Sequence, residues 1–381
     1  MKNVGRILSL VAIFIVIYLF LSSKIQIPSL INSGSNSNSD TGFSINYSSA
    51  SAKQPQASPD SYLDTAKKMT LEQKVRQVLI CGYTGINVQD ALDQSRFCGN
   101  YLLMSENISG LSINQIKSNN DRIHNQDTQT WIMIDQEGGQ VTRIPDGSPS
   151  ARVMGDTNTV IDWGNKISQD LKASGIDMDL APVADTTELS PAIGDRSFAD
   201  DPTQVSIFVN QFVSALQSNG IVAVIKHLPG HGRVLSNTHT TIGSLNYSWQ
   251  EIQDFDLLPF VSAINNGVEV VMVGHIIVPD LDNKPATISK KTISKLREFL
   301  PKGSEIILMT DSLTMEGVGI PVTESPIEAL KAGEDMLIIQ GIPSEDTFNR
   351  IVSAYNSGYL DINQLNLSVA RILRVKSQFG K

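Results

Sequence analysis

Chemically capable side chains in this sequence collect directly behind short apolar runs. The run 131–135 ends in Asp135 and leads into Gln136-Glu137-Gly138-Gly139, while 178–184 leads into Asp185. The run 222–226 ends in Lys226 and leads into His227-Leu228-Pro229-Gly230-His231-Gly232; His275 follows 268–274, and Asp311-Ser312 follow 305–310. A solvated loop rarely receives so many ionisable groups straight after apolar residues, so the set reads as the lining of one polar site. Carboxylates and imidazoles brought together are the groups of nucleophilic and general acid–base catalysis. Four of the five histidines, His227, His231, His239 and His275, lie in or after these run ends, which also raises a metal. The His227-x3-His231 spacing imitates the paired ligands of a zinc helix. Pro229 and Gly230 between them break a helix, however, so no metal ligand is assigned. His231, flanked by glycines, reads instead as a structural histidine bonded to backbone carbonyls.

Groups placed this way need elements that end at a common face. Eight apolar or β-branched runs, 78–83, 101–104, 131–135, 178–184, 222–226, 268–274, 305–310 and 335–340, alternate with segments of helical character. The helical segments include 113–124, 160–173, 203–218, 248–265, 288–299 and 326–331, with 362–379 last. Eight β/α alternations predict an α/β fold, a single (β/α)8 TIM-type barrel, whose reacting groups stand at the carboxyl ends of the strands. An open doubly wound sheet is the alternative. Cys81 falls inside the first strand and Cys98 just before the second, several residues apart along the barrel axis at about 3.3 Å per residue. Two free thiols are therefore expected, and the separation is no CxxC redox or zinc spacing.

The 381 residues are 41% hydrophobic and 18% charged, ordinary globular usage that excludes wholesale disorder. Thirty Lys and Arg against 39 Asp and Glu give a net charge of −9, and no basic run follows the first six residues, so no nucleic-acid partner is expected. Lys2 and Arg6 precede an apolar run at 7–21, which predicts a signal peptide or membrane anchor over 1–23. No small-residue cleavage site follows closely, which favours an uncleaved anchor with the body of the chain outside the cell. A flexible Ser- and Asn-rich linker is expected over 24–60 and the barrel over 61–381. The chain is thus read as exported, either membrane-anchored through its N-terminal segment or secreted. A monomer without a cofactor is expected.

Lys226-His227-Leu228-Pro229-Gly230-His231-Gly232, followed seven residues later by His239, resembles the signature of bacterial β-N-acetylglucosaminidases of glycoside hydrolase family 3. The segments from Asp135 to Arg143, Gly194 to Phe198, Thr310 to Gly317 and Ala332 to Met336 are similar to further motifs of that family, in the expected order. The resemblance runs from about Leu71 to Phe379 and lacks the second domain of the larger family-3 β-glucosidases. It implies a retaining exo-β-N-acetylglucosaminidase that releases terminal β-linked N-acetylglucosamine from peptidoglycan fragments or related glycosides. By resemblance Asp311 is the nucleophile and His239 the general acid and then base, carried on the loop after the fifth strand. Asp135, Arg143, Arg196, Lys226 and His227 would grip the sugar hydroxyls, and the glycines at 230 and 232 would supply hinges for a closing loop.

One position departs from the family. The histidine there is partnered by an aspartate two residues earlier, where this chain has Asn237. An amide can orient an imidazole but supplies no charge to stabilise its protonated form. Arg233 in the same loop would disfavour the imidazolium further. Two functions therefore stand open: a glycosidase whose activity is slow, shifted to lower pH or lost, and a non-catalytic surface protein that binds N-acetylglucosamine.

Overall fold

The structure is a computed structural model describing residues 59–381 apart from Glu188 and His239. The expected signal or anchor segment and nearly all of the expected linker lie outside the described residues, as does His239; Pro59 opens the first helix, Pro59–Lys68.

Eight short parallel strands form the barrel: β1 Leu79–Cys81, β2 Asn100–Leu103, β3 Trp131–Ile134, β4 Met178–Asp179, β5 Val222–Leu228, β6 Val270–Val273, β7 Ile307–Thr310 and β8 Leu337–Ile338. Their spatial order is β8-β1-β2-β3-β4-β5-β6-β7. A parallel bridge between Met309 and Met336 brings β7 against the entry to β8 and closes the ring. The sheet is therefore a barrel of TIM type, not an open doubly wound sheet. Every residue of these strands is buried, because the helices cover one face and the barrel interior fills the other.

Each run expected to be a strand overlaps one. β4 is the shortest relative to expectation, since Pro182 has no N–H for the ladder; beyond it only Val183 bridges to Lys226. The helix Val160–Ala173 has the expected limits. The segment expected as one helix at 248–265 is two, Trp249–Asp254 and Leu258–Asn265, with Pro259 in the first turn of the second. Asp256 sits in the break.

The cysteines correct an expectation. Cys81 and Cys98 form a disulfide, with Cα atoms 6.0 Å apart. The expected separation assumed extended chain before β2. Instead the N–H groups of Phe97 and Cys98 both bond Gln94 O, so the chain there is a turn after the helix Gln89–Gln94. Gly99 then passes so close to the Arg76 carbonyl that an added Cβ would lie 2.3 Å from its oxygen.

Candidate active site

Strand ends β2 to β8 surround a cavity of about 480 Å³, lined by Asp135, Glu137, Arg143, Arg196, Lys226, His227 and Asp311 with apolar Leu102, Leu180, Met272 and Ile338 below and beside them. All five residues expected to hold sugar and the expected nucleophile thus face one space.

Sequence alternation explains part of the convergence. After β3 the chain stays extended enough that Asp135 and Glu137 turn to the cavity while Gln136 turns away and is buried. Gln136 holds the return of the loop: its Oε1 accepts the N–H groups of Arg143 (2.8 Å) and Ile144 (3.0 Å), and its Nε2 donates to Ile144 O (2.8 Å). Arg143 is thereby delivered to the cavity, with its Nη2 3.8 Å from Asp135 Oδ2.

In β5 alternation alone would send Lys226 and His227 to opposite faces. The pairing with β6 shifts register between Ile225 and Leu228, and both side chains reach the cavity. Lys226 Nζ lies 2.7 Å from Asp135 Oδ1 and 2.6 Å from Glu137 Oε1. Arg196 donates Nε and Nη2 to the two oxygens of Glu137, both at 2.8 Å, and Nη1 to Ala192 O. Burial alone would raise the Glu137 carboxyl; the charges of Lys226 and Arg196 outweigh it and hold that carboxyl well below the usual range. His227 Nδ1 lies 2.7 Å from Asp185 Oδ2, and the fully buried Asp185 also accepts the backbone N–H groups of His227 and His231. This fixes the ring so that Nε2 faces the cavity side, 3.4 Å from Arg196 Nη2.

Asp311 follows β7, and its Oδ1 accepts the Ser312 N–H at 2.7 Å. Burial would raise its carboxyl, but the nearby His227, His275 and Lys226 and the Ser312 N–H hold it below the usual range. His275, fully buried, bonds Thr287 Oγ1 through Nδ1 (2.9 Å) and Ser312 O through Nε2 (2.8 Å), steadying the turn that carries Asp311. The result is an ionised carboxylate facing a cavity rich in hydrogen-bonding groups, suited to attack at an electrophilic carbon.

The loop after β5 corrects three readings. His231 is structural, yet its partners are side chains and not carbonyls: Nδ1 meets Ser190 Oγ at 2.9 Å and Nε2 meets Thr238 Oγ1 at 2.7 Å. Burial pushes it down to about 4, so it stands neutral at pH 7. Gly230 and Gly232 are sites of close approach and not open hinges. An added Cβ would lie 2.6 Å from Asp256 Cβ at Gly230 and 1.8 Å from Thr186 O at Gly232. Arg233, expected to burden the loop with free charge, donates Nε to Asp256 (3.1 Å) and Nη2 to the same carboxylate, and stacks on Tyr247 and Phe255 with its Cζ 3.6 and 4.5 Å from the ring centres. Its charge is already compensated. Further along, Thr238 is buried and its carbonyl accepts the Gly317 N–H at 3.1 Å, which ties this loop to the one following Asp311. Asn237 precedes it, its carbonyl accepting Thr240 and Thr241 N–H.

Glu137, Gln136, Asp185 and His275 carry much of this geometry without having been assigned roles. The signal for each was present, since all four stand within two residues of the end of an apolar run, but residue type alone does not separate a side chain that meets substrate from one that holds its neighbour. Among the described residues no group of three or more histidine, cysteine or carboxylate side chains could hold a metal ion.

The sequence profile described as "Glycosyl hydrolase family 3 N terminal domain" matches residues 70–375. A protein of Tolumonas auensis named beta-hexosaminidase is 35% identical over 218 residues, which cover 54% of this chain and 65% of that protein, short of two thirds of its length. A beta-hexosaminidase of Methylobacillus flagellatus is 32% identical over 264 residues, covering 65% of this chain and 74% of that one. Among solved structures, a glycoside hydrolase family 3 beta-N-acetylglucosaminidase from Paenibacillus superposes with a TM-score of 0.76 at 26% identity, over 82% of this chain and 63% of that chain.

Proposed function

The chain belongs to glycosyl hydrolase family 3, and on that premise we propose that it is a retaining exo-β-N-acetylglucosaminidase acting on terminal β-linked N-acetylglucosamine in peptidoglycan fragments or related glycosides. The observation that carries the reading is the convergence of Asp311 with Asp135, Arg143, Arg196, Lys226 and His227 on one cavity of about 480 Å³.

In this mechanism Asp311 attacks the anomeric carbon, and the bond from that carbon to the leaving oxygen breaks as His239 gives the oxygen a proton. The glycosyl ester on Asp311 is then cleaved by water, which loses its proton to His239. Lys226, Asp135, Arg143 and Arg196 bind ring hydroxyls through charge-assisted hydrogen bonds. His227, oriented by Asp185, adds a donor or acceptor near the reacting face. Export, with the N-terminal segment as anchor or cleaved signal, is supported by the Cys81–Cys98 disulfide, since such bonds persist in oxidising compartments.

Asn237 favours a second reading, a barrel that binds N-acetylglucosamine and turns it over slowly or not at all. Release of p-nitrophenol from p-nitrophenyl N-acetyl-β-glucosaminide between pH 4 and 8 separates the two. Activity in the wild type that disappears in Asp311→Ala supports the hydrolase. Binding of N-acetylglucosamine without release supports the second reading, and neither binding nor release defeats both.

A further inference from the structure

A carboxylate that the mechanism does not use lies between β3 and β4. Asp179 ends β4, its side chain is completely buried, and its Oδ1 accepts the backbone N–H of Gln136 at 2.9 Å. Its Oδ2 has no hydrogen-bond partner. The ladder itself ends just before this point: Leu180 N–H bonds Ile134 O, and the next donor on β3 is the one Asp179 takes. A side-chain oxygen thus extends the sheet by one bond at the residue between Asp135 and Glu137, the two carboxylates that hold Lys226.

The same residue governs Arg143. Gln136 occupies three backbone groups of residues 143 and 144 with one side chain. A strut therefore runs from β4 through Asp179 to Gln136 and on to Arg143, with Asp135 and Glu137 hung on either side of its midpoint.

We propose that Asp179 is a positioning residue for the glycosidase reaction, fixing Asp135, Glu137 and Arg143 in the sugar cavity through Gln136. This rests on the hydrolase reading above. The carboxyl is driven well above its usual range by burial and by the charges of Asp135 and Glu137, against the pull of Lys226 and the Gln136 N–H. Oδ2 has no donor that would stabilise a charge there. What the strut needs from residue 179 is an acceptor oxygen, and no charge.

Asparagine keeps that oxygen and leucine removes it, so the pair separates the two properties. Asp179→Asn should keep kcat/KM within about threefold of the wild type with an unshifted pH profile. Asp179→Leu should lose at least tenfold, with KM raised. Coupling to Arg143 marks positioning as distinct from general destabilisation: in an Arg143→Met background, Asp179→Leu should cost a smaller factor, the part it exerts through Asp135 and Glu137, whereas a merely structural role would give the same factor in both backgrounds. Gln136→Met, which keeps the bond to Asp179 but frees Arg143, should lose severalfold with KM raised and cost little more in the Arg143→Met background, and it covers the case in which the leucine variant does not fold. A collapse of activity in Asp179→Asn, or equal factors in both backgrounds, overturns the proposal. If the wild type binds N-acetylglucosamine without hydrolysing its glycosides, the same order of variants is read from calorimetric binding. A wild type that does neither sinks the hydrolase reading first and this inference with it.

Discussion

Glu137 offers the sharpest test of how the site is held together. Its side chain is 4% exposed, accepts two hydrogen bonds of 2.8 Å from Arg196 and lies 2.6 Å from Lys226 Nζ. In Glu137→Gln the shape survives, but the buried Arg196 loses its carboxylate partner and Lys226 keeps only Asp135, which it shares with Arg143. Removing one partner from a buried ion cluster costs about 3–5 kcal/mol, chiefly through the uncompensated charge that stays behind. At about 2.1 cal/mol/K per residue, roughly 320 ordered residues give an unfolding entropy near 0.7 kcal/mol/K, so Tm should fall by about 4–8 °C at pH 7. Adding Lys226→Met restores the balance of charge. The double variant should therefore be more stable than the sum of the single losses by about 1.5 kcal/mol or more, measured by urea unfolding. The sign of the pH effect follows from the depressed Glu137 carboxyl: its contribution is whole above the unfolded value near 4.3 and fades as the pH falls toward the folded one. The gap between wild type and Glu137→Gln should accordingly narrow in acid. A Tm change under about 2 °C, or strict additivity in the double variant, would refute the view that this cluster is a coupled buried unit.

Three further outcomes are expected. Asn237→Asp should raise turnover of p-nitrophenyl N-acetyl-β-glucosaminide, by at most about 10⁴, the cost of the analogous amide in a serine-protease triad; an unchanged rate would remove Asn237 from the account. Glu334 is fully buried with both oxygens unpartnered, and burial drives its carboxyl well above the usual range. Its stabilisation is present below the unfolded value and lost as pH rises, so Glu334→Gln should gain on the wild type between pH 5 and 7 in thermal unfolding, by at most about 1.4 kcal/mol per pH unit. Lys376 is buried among Gln77 Oε1, Asn100 Oδ1 and Gln129 O, and burial pushes it down to about 7. The unfolded chain then binds the extra proton between pH 7 and 10, so the wild type should gain on Lys376→Met by about 1.4 kcal/mol per pH unit in that window; parallel curves would show a lysine that stays charged.

The barrel was legible because its strands are continuous apolar runs separated by helical segments, a pattern that survives errors of a few residues at each end. Val160–Ala173 and Ile113–Gln126 could be read from their apolar pattern, and the latter also carries a capping box of Ser112 and Gln115. Short helices such as Ala151–Asp156 and Ser105–Ile108 were not, since one or two turns leave no period to detect. The disulfide was missed for a related reason. A turn of three residues before β2 replaced the extended chain that the spacing argument assumed, and the close approach of Gly99 to Arg76 has no trace in residue type.

The site divides along the same line. Asp135, Lys226, His227 and Asp311 could be placed in one cavity because strand ends converge whatever the loops do, while Arg143 and Arg196, which arrive on loops, were placed by resemblance alone. What the sequence concealed was compensation. Arg233 read as a free charge beside His239, but the helix break at 255–257 brings Asp256 and Phe255 under its guanidinium, and Tyr247 covers the other side. Of the two sequence features that argued against an efficient acid–base histidine, one is thus an arginine paired with a carboxylate, and the other is Asn237. The weight of the choice between hydrolase and binding protein then falls on one amide. The change that tests it, amide to carboxylate, alters a single oxygen-sized group in a loop already pinned by His231 and Gly317 through Thr238.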